Sequence, residues 1–335
     1  MRRLLFPTPP GLVVERFILI FVLATAGALA GAPTSANDYP SRPIRFLQGF
    51  APGGNADVVT RVLGEELARG LKYPVISEAR PGAGGNLASE QAARATPDGH
   101  TIVLLTTAHV ISAALYKSLA FDSVKDFEFI SVVSEFPFFF VVNAKSRFKT
   151  MAEFVAAARA APSAVTFATA GVGTGQHMAG ELFAATIGAK MLHVPHRGDS
   201  AAVTALLSGD VDMVIAPGTA LLSLIESGTF RALAISGRQR WPKLPGIPTV
   251  AEAVAPDYEV MAWMAVATTR GVPRPIVERL NAEIRRAIAA PDVDKRLREL
   301  GAFPGSSTPE AAADRTKAEI ARWNRVIDTA GIARQ

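Results

Sequence analysis

Two stretches, "GFAPGGNAD" (Gly49–Asp57) and "GVGTGQH" (Gly171–His177), have residue types and spacing that invite a chemical reading. Each places glycines between an apolar run and a helix-like run. A backbone without Cβ lets N–H groups approach a ligand closely. Phosphate is the first candidate. Gly49 and Gly54 have the separation of a P-loop, but Asn55-Ala56 stands where the phosphate-binding Lys and the magnesium-binding Ser or Thr are needed. Gly171 and Gly173 open a dinucleotide fingerprint, but Gln176 replaces its third glycine and the motif lies past mid-chain. With nucleotide chemistry set aside, both stretches fit a simpler device: free N–H groups at a strand-to-helix turn, where the helix dipole favours an anion. The turn "RPGAGGN" (Arg80–Asn86) repeats the Gly-Gly-Asn of residues 53–55. Such cradles suit a carboxylate as well as a phosphate. The plainer alternative is that these glycines only make tight turns.

Other chemistries find less support. The chain has no cysteine, so thiolate metal sites, thiol catalysis and disulfides are excluded. His193 and His196 sit on a strand-like run at a spacing that points them to opposite faces. His177 and Glu181 are one helical turn apart, without an HExxH motif. No metal site and no cofactor are expected, and His177 reads as a hydrogen-bonding group or a cap. There is no G-x-S-x-G. In "GDSAA" (Gly198–Ala202), Asp199 or Ser200 reads as a helix cap. Asp57 complements the dipole of its helix, and Arg197 is the cation beside an expected ligand turn.

The elements that must hold these turns alternate in type. "PIRFLQGF", "PVISEA", "TIVLLTT" (Thr101–Thr107), "FFFVVNA" (Phe138–Ala144), "VTFATA", "MLHVPH", "VDMVIAP" and "RALAIS" read as strands. "ADVVTRVLGEELARGL", "NLASEQAARA", "MAEFVAAARA", "HMAGELFAATIG", "AAVTALLSG" and "TALLSLIESG" read as helices between them, the fourth ending at Gly188. This alternation predicts parallel sheets covered on both faces. The rhythm breaks at "FFFVVNA" and at "YEVMAWMAVATT" (Tyr258–Thr269), which permits two strands crossing between two α/β lobes. The helical tail carries a stripe of Ile276, Leu280, Ile284 and Ile288 that needs a surface to cover.

The totals agree with an ordinary globular protein. Of 335 residues, 49% are apolar and 19% charged, enough for a core and too few charges for a disordered chain. The net charge of +5 is interleaved along the chain and argues little for nucleic acid. Arg2, Arg3 and Arg16 precede the uncharged run Phe17–Ala30, and Ala30-Gly31-Ala32 and Thr34-Ser35-Ala36 both fit a cleavage site. This is the pattern of an export signal, cleaved near Ala32 or Ala36. The run is short against the roughly 20 residues of a membrane span.

Taken together, the motifs resemble the Bug/TctC family, the periplasmic solute receptors of tripartite tricarboxylate transporters. The matching segments include "YPSRPIRFLQGFAPGGNADVVTR", "ARPGAGGNLASEQAARATPDGHTIVLL", "TFATAGVGTGQHMAGELFA", "HVPHRGDSAAVTALLSGDVDM" and "VPRPIVERLNAEIRRAI", and they keep order and spacing from about Tyr39 to Ile332. The resemblance implies an α/β, two-lobed periplasmic-binding-protein fold (Venus-flytrap, type II-like) with two crossing strands. Residues 1–36 would be the signal peptide, 37–142 plus 262–335 a discontinuous first lobe, and 143–261 the second.

No catalysis is implied. A ligand carboxylate would sit between the loop Phe50, Ala51, Pro52, Gly53, Gly54 and Asn55 and the loop Gly171, Val172, Gly173, Thr174, Gly175 and Gln176. Phe50 would form an apolar wall and Thr174 would give a hydroxyl. The turn Pro195–Gly198, with His196 and Arg197, would close the second-lobe side, and Thr106, Thr107, Pro217 and Gly218 would complete the cleft, with Gly84 and His177 beside it. Ala51, the His196-Arg197 pair and the aromatic "SVVSEFPFFF" depart from the usual family pattern, so the identity of the solute stays open among dicarboxylates, tricarboxylates, aromatic acids and amino acids. The implied partners are a small carboxylate and the membrane permease subunits, with no nucleic acid, and the receptor would act as a monomer in the periplasm. Two other readings remain: a receptor that presents its solute to a sensor kinase, and an exported hydrolase.

Overall fold

The computed structural model describes residues 39–335; the expected export signal and its cleavage sites lie outside the described residues. The chain opens with β1 (Ile44–Gln48), α1 (Asn55–Leu71), β2 (Val75–Ala79), α2 (Asn86–Ala93), β3 (Thr101–Thr106) and α3 (Thr107–Leu115). A long strand follows, β4 (Phe127–Asn143), then α4 (Met151–Ala160), β5 (Thr166–Thr169), α5 (Gly175–Thr186), β6 (Leu192–Pro195) and α6 (Asp199–Ser208). Next come β7 (Met213–Pro217), α7 (Gly218–Glu226), β8 (Phe230–Ile235), the short α8 (Val250–Ala253) and β9 (Met261–Thr269). The end is α9 (Arg274–Ala289), α10 (Pro291–Glu299), β10 (Phe303–Pro304) and α11 (Pro309–Thr329). Among the described residues no helix is long and apolar enough to cross a membrane.

The strands form two sheets that share β4. In the first, β2, β1 and β3 are parallel neighbours, β9 pairs antiparallel with β3, and the first half of β4 pairs antiparallel with β9 from Phe127 to Pro137. In the second, β4 from Phe138 onward pairs antiparallel with β7 and β8, and β7, β5 and β6 run parallel. The sheets are thus mixed, which corrects the expectation of parallel ones. The reason is topological. β1, β3, β5 and β7 all end where the two sheets face each other. β4 runs toward that line in the first lobe and must run away from it in the second, against its new neighbours. β9 makes the return journey and is antiparallel in the first lobe. The local apolar pattern of a strand records its burial and not its direction, so the sequence could not show this.

The changeover is pinned by one side chain. Pro137, which has no N–H to give a ladder, sits at the last β4–β9 pair. Immediately after it, Phe138 donates its backbone N–H to the Ser236 hydroxyl at 2.8 Å, and that hydroxyl donates to the Val260 carbonyl at 2.5 Å. The Ser236 backbone completes the tie, its N–H to Phe138 and its carbonyl to Val260 N–H. Ser236 is fully buried and joins both crossing segments.

Each lobe has its own core. Leu47, Val103, Leu105, Phe129 and Ala267 belong to the first; Phe139, Val141, Leu206, Val214 and Leu221 belong to the second. The helical tail finds its surface, since Ile276, Leu280, Ile284 and Ile288 are all buried and α9 packs on β4 and α1. Three helices were not expected from periodicity. One is α3, where Thr107 leaves the strand pattern because Thr106 caps a helix by accepting Ala108 N–H. The others are the four-residue α8 and α10, whose buried face consists of Val293 and Leu297 alone.

Candidate functional site

On the line between the lobes lies a cavity of about 140 Å³. Its lining comes from the first residues of helices in both lobes: Asn55 and Ala56 of α1, Thr107 and Ala108 of α3, Gly175 and Gln176 of α5, Asp199 and Ser200 of α6. Pro217, the residue capping α7, adds a fifth helix start. The cause is the topology just described. Each βα turn of a parallel segment lies at the carboxyl end of its strand, and here those ends face one another. The backbone N–H groups of Asn55, Ala56, Gly175, Gln176, Asp199 and Ser200 have no acceptor among the described residues. Orphan first-turn donors and aligned helix dipoles make such a cavity favourable for an anion. Phe136 and Phe138 of β4 and Ala262 and Met264 of β9 form an apolar wall.

The two lobes touch beside the cavity. A Cβ placed on Gly84 would lie 3.5 Å from the Val172 carbonyl oxygen, and one on Gly198 would lie 3.6 Å from Ala51 Cβ. The first-lobe loop is itself held by close backbone packing. A Cβ on Gly49 would stand 2.4 Å from Gly85 Cα, so the "GFAPGG" and "GAGG" turns fit only with glycine there. Gly175 is required for a different reason, because its Cβ would meet the Phe138 ring at 2.8 Å.

Of the residues expected at the site, Phe50, Ala51, Pro52, Gly54, Asn55, Thr106, Thr107, Thr174, Gly175, Gln176, Arg197 and Pro217 line the cavity. Gly53, Gly84, Gly171, Val172, Gly173, His177, His196 and Gly218 do not line it. The Gly53 N–H is taken by the Asp57 carboxylate at 2.9 Å, which turns that residue outward. His177 lies behind its loop, where Nδ1 accepts Gly173 N–H at 3.3 Å and the ring stacks on His193 with centroids 4.2 Å apart. Burial, with the neighbouring His177 and His196, holds His193 down to about 3, so it is a neutral buttress at physiological pH. Among the described residues no cluster of metal-ligating side chains occurs.

The hydroxyls are also occupied. Thr174 Oγ1 donates to the Gly171 carbonyl at 2.7 Å and accepts His177 N–H at 3.3 Å, so it shapes the second-lobe loop and its proton is already committed. Thr107 Oγ1 accepts Trp263 N–H at 2.8 Å and anchors α3 to β9.

Gly198, in the turn expected to close the second-lobe side, also lines the cavity, whereas several lining residues escaped the sequence reading: Ala56, Ala108, Phe136, Phe138, Ala170, Asp199, Ser200, Ala262 and Met264. Four of them, Phe136, Phe138, Ala262 and Met264, follow from the course of β4 and β9, which no short-range pattern reveals. Asp199 is a correction as well as an omission. It is not a cap, because Gly198 takes that position and no side chain caps α6. Instead Asp199 Oδ1 accepts the Gln176 Nε2–H at 2.6 Å. Burial in the cleft pushes its carboxyl up to about 6, against the Gln176 hydrogen bond that pulls it down.

The comparisons with known proteins agree with this architecture. A family model described as "Tripartite tricarboxylate transporter family receptor" matches residues 59–332. A protein of Pseudomonas sp. (strain P51), described as the UPF0065 protein in the tcbD-tcbE intergenic region, is 40% identical over 290 residues, covering 86% of each chain. The solved structure of Rpa4515 of R. palustris with adipate superposes with a TM-score of 0.85 at 31% identity, covering 88% of this chain and 99% of that one. The periplasmic binding protein BugD superposes with a TM-score of 0.84 at 29% identity, covering 89% of this chain and 100% of that one. Two lobes joined by crossing strands, a cavity ringed by helix starts and a family match across nearly the whole described chain lead to one conclusion: this chain belongs to the Bug/TctC family of tripartite tricarboxylate transporter receptors, a family of periplasmic solute-binding proteins.

Proposed function

We propose that this protein captures a small carboxylate between its lobes in the periplasm and delivers it, chemically unchanged, to the permease subunits of a tripartite tricarboxylate transporter. The observation that carries the reading is the convergence of five helix starts from two lobes on one cavity. Those donors are fixed before the ligand arrives, so little ordering cost is left for binding. The adipate bound by Rpa4515 supports the ligand class. The crossing segments at Pro137–Phe138 and Val260, tied by Ser236, supply the hinge on which the lobes would close.

The test is calorimetry and thermal shift with a panel of small carboxylates, on the protein and on Gly54→Val. A ligand that binds only the folded state raises the melting temperature by mass action. A Cβ on Gly54 would lie 3.9 Å from Asp199 Oδ2, so the valine branches enter the cavity. Saturable binding by the native protein that weakens at least about tenfold in the variant is expected. Absence of binding by every carboxylate, or equal affinity in the two proteins, would overturn the reading.

A further inference from the structure

The cavity gathers partial positive charge from its helix starts, yet one of its walls is a carboxylate. Asp199 uses Oδ1 to accept from Gln176. Among the described residues Oδ2 has no hydrogen-bond or ion-pair partner, and it lies 3.9 Å from where a Cβ of Gly54 on the opposite lobe would be, so it faces across the gap. Arg197, two residues earlier, lines the same cavity but forms no ion pair with it. On the first-lobe side Asn55, only 7% exposed, has an Oδ1 without a partner. A neighbouring groove meets the cavity at Gly54, Asn55, Asp199 and Ser200, so these acceptors stand at one end of the chamber.

A plain dicarboxylate would satisfy the N–H groups but press its second oxyanion toward Asp199. Like charges in a desolvated site cannot both stay ionised without cost. A ligand with a protonated amine removes that conflict, because it gives Oδ2 a charge-assisted hydrogen bond while its carboxylate takes the helix starts. We propose that Asp199 is the specificity-determining residue of the cavity and that the solute is a zwitterion carrying an ammonium group as well as a carboxylate. The inference rests on the carboxylate-receptor reading above and narrows its substrate class. The raised carboxyl agrees with it, since burial disfavours the charged form and an ammonium beside Oδ2 would offset that cost.

The experiment compares matched pairs by titration calorimetry at neutral pH: 4-aminobutanoate against glutarate, 5-aminopentanoate against adipate, and L-norvaline against pentanoate. It is run on the native protein and on Asp199→Asn, with Asp199→Ser as a second variant should the first fail to melt cooperatively. In at least one pair the amine is expected to bind about tenfold or more tightly than its partner, the scale of one charge-assisted hydrogen bond. The Asn variant is expected to lose that preference while keeping or gaining affinity for the amine-free acid. Tighter binding of the amine-free member in every pair, or an amine preference that survives both substitutions, would overturn the inference and leave the carboxylate reading standing. Silence of the native protein toward the whole panel would overturn both.

Discussion

The two sides of the cleft are built differently. The first-lobe side, Phe50 to Ala56, presents no charged side chain to the cavity; its acid, Asp57, is turned back onto Gly53 N–H and Arg61. The second-lobe side, Gly175–Gln176 and Arg197–Ser200, holds a cation, a carboxylate and an amide. A side made of backbone recognises any carboxylate, because N–H groups have no preference about what lies beyond the oxygens. A side made of charged side chains discriminates, since each charge must be matched when water leaves. On this comparison, substitutions in the first-lobe loop remove binding and substitutions at Asp199 redirect it.

The most damaging test of the first-lobe side is Gly49→Ala. The added methyl meets the Gly85 backbone, which cannot rotate away. We expect a loss of about 3 kcal/mol in denaturant unfolding, from the separation of two packed turns, and loss of carboxylate binding with it. A variant that melts like the parent would show that the two turns are not mutually dependent.

A second test moves to the line between the sides. Ser236→Ala leaves Phe138 N–H without its acceptor and the Val260 carbonyl without its donor. A cost of about 2 kcal/mol is expected, as for buried polar groups left unpaired. Chemical denaturation reads it, and an unchanged midpoint would remove Ser236 from its pinning role. A smaller effect is expected on the second-lobe side from Thr174→Ala. The α5 cap is lost, at about 1 kcal/mol, and the Gly171–Thr174 turn loosens. Because the hydroxyl is spent within the loop, Thr174→Ser should restore both stability and affinity.

The smallest effect concerns pH. The Asp199 carboxyl, ordinarily near 3.8, stands at about 6 in the fold. Between those values the folded protein holds a proton that the unfolded chain has released, so Asp199 subtracts stability as pH rises through the window. Above it the native protein carries a penalty that Asp199→Asn lacks. After allowance for its partial exposure to solvent, the variant should be about 1 kcal/mol more stable at neutral pH, with the difference vanishing toward pH 4. Melting curves across that range check it, and a variant equally or less stable at neutral pH would show that Asp199 is not penalised in the cleft.

Much of this was legible because it is local. Alternating strand and helix patterns, the glycine turns at Gly49–Gly54 and Gly171–Gly175, and the cradle chemistry of a helix start each depend on a few consecutive residues. The expectation that Thr174 would offer its hydroxyl to a ligand came from residue type alone, and type does not show which neighbour takes the proton. His177 and His196 were placed near the ligand by their closeness in sequence to the loops. In the fold His177 stands behind its loop, where it accepts Gly173 N–H, and neither residue lines the cavity.

By itself the sequence determined the α/β alternation, the turns able to present free N–H groups, and the family to which their order and spacing point. Only the tertiary structure decided that β4 changes sheets between Pro137 and Phe138, that both sheets are mixed, and that Phe136, Phe138 and Met264 make one wall. It also decided that Asp199, a cap by its pattern, turns to Gln176 and to the gap. The physical reason is range. Hydrogen-bonding and steric preferences of the backbone act over a turn or two, whereas burial and the pairing of charges depend on which distant segments meet, and no residue carries that knowledge alone.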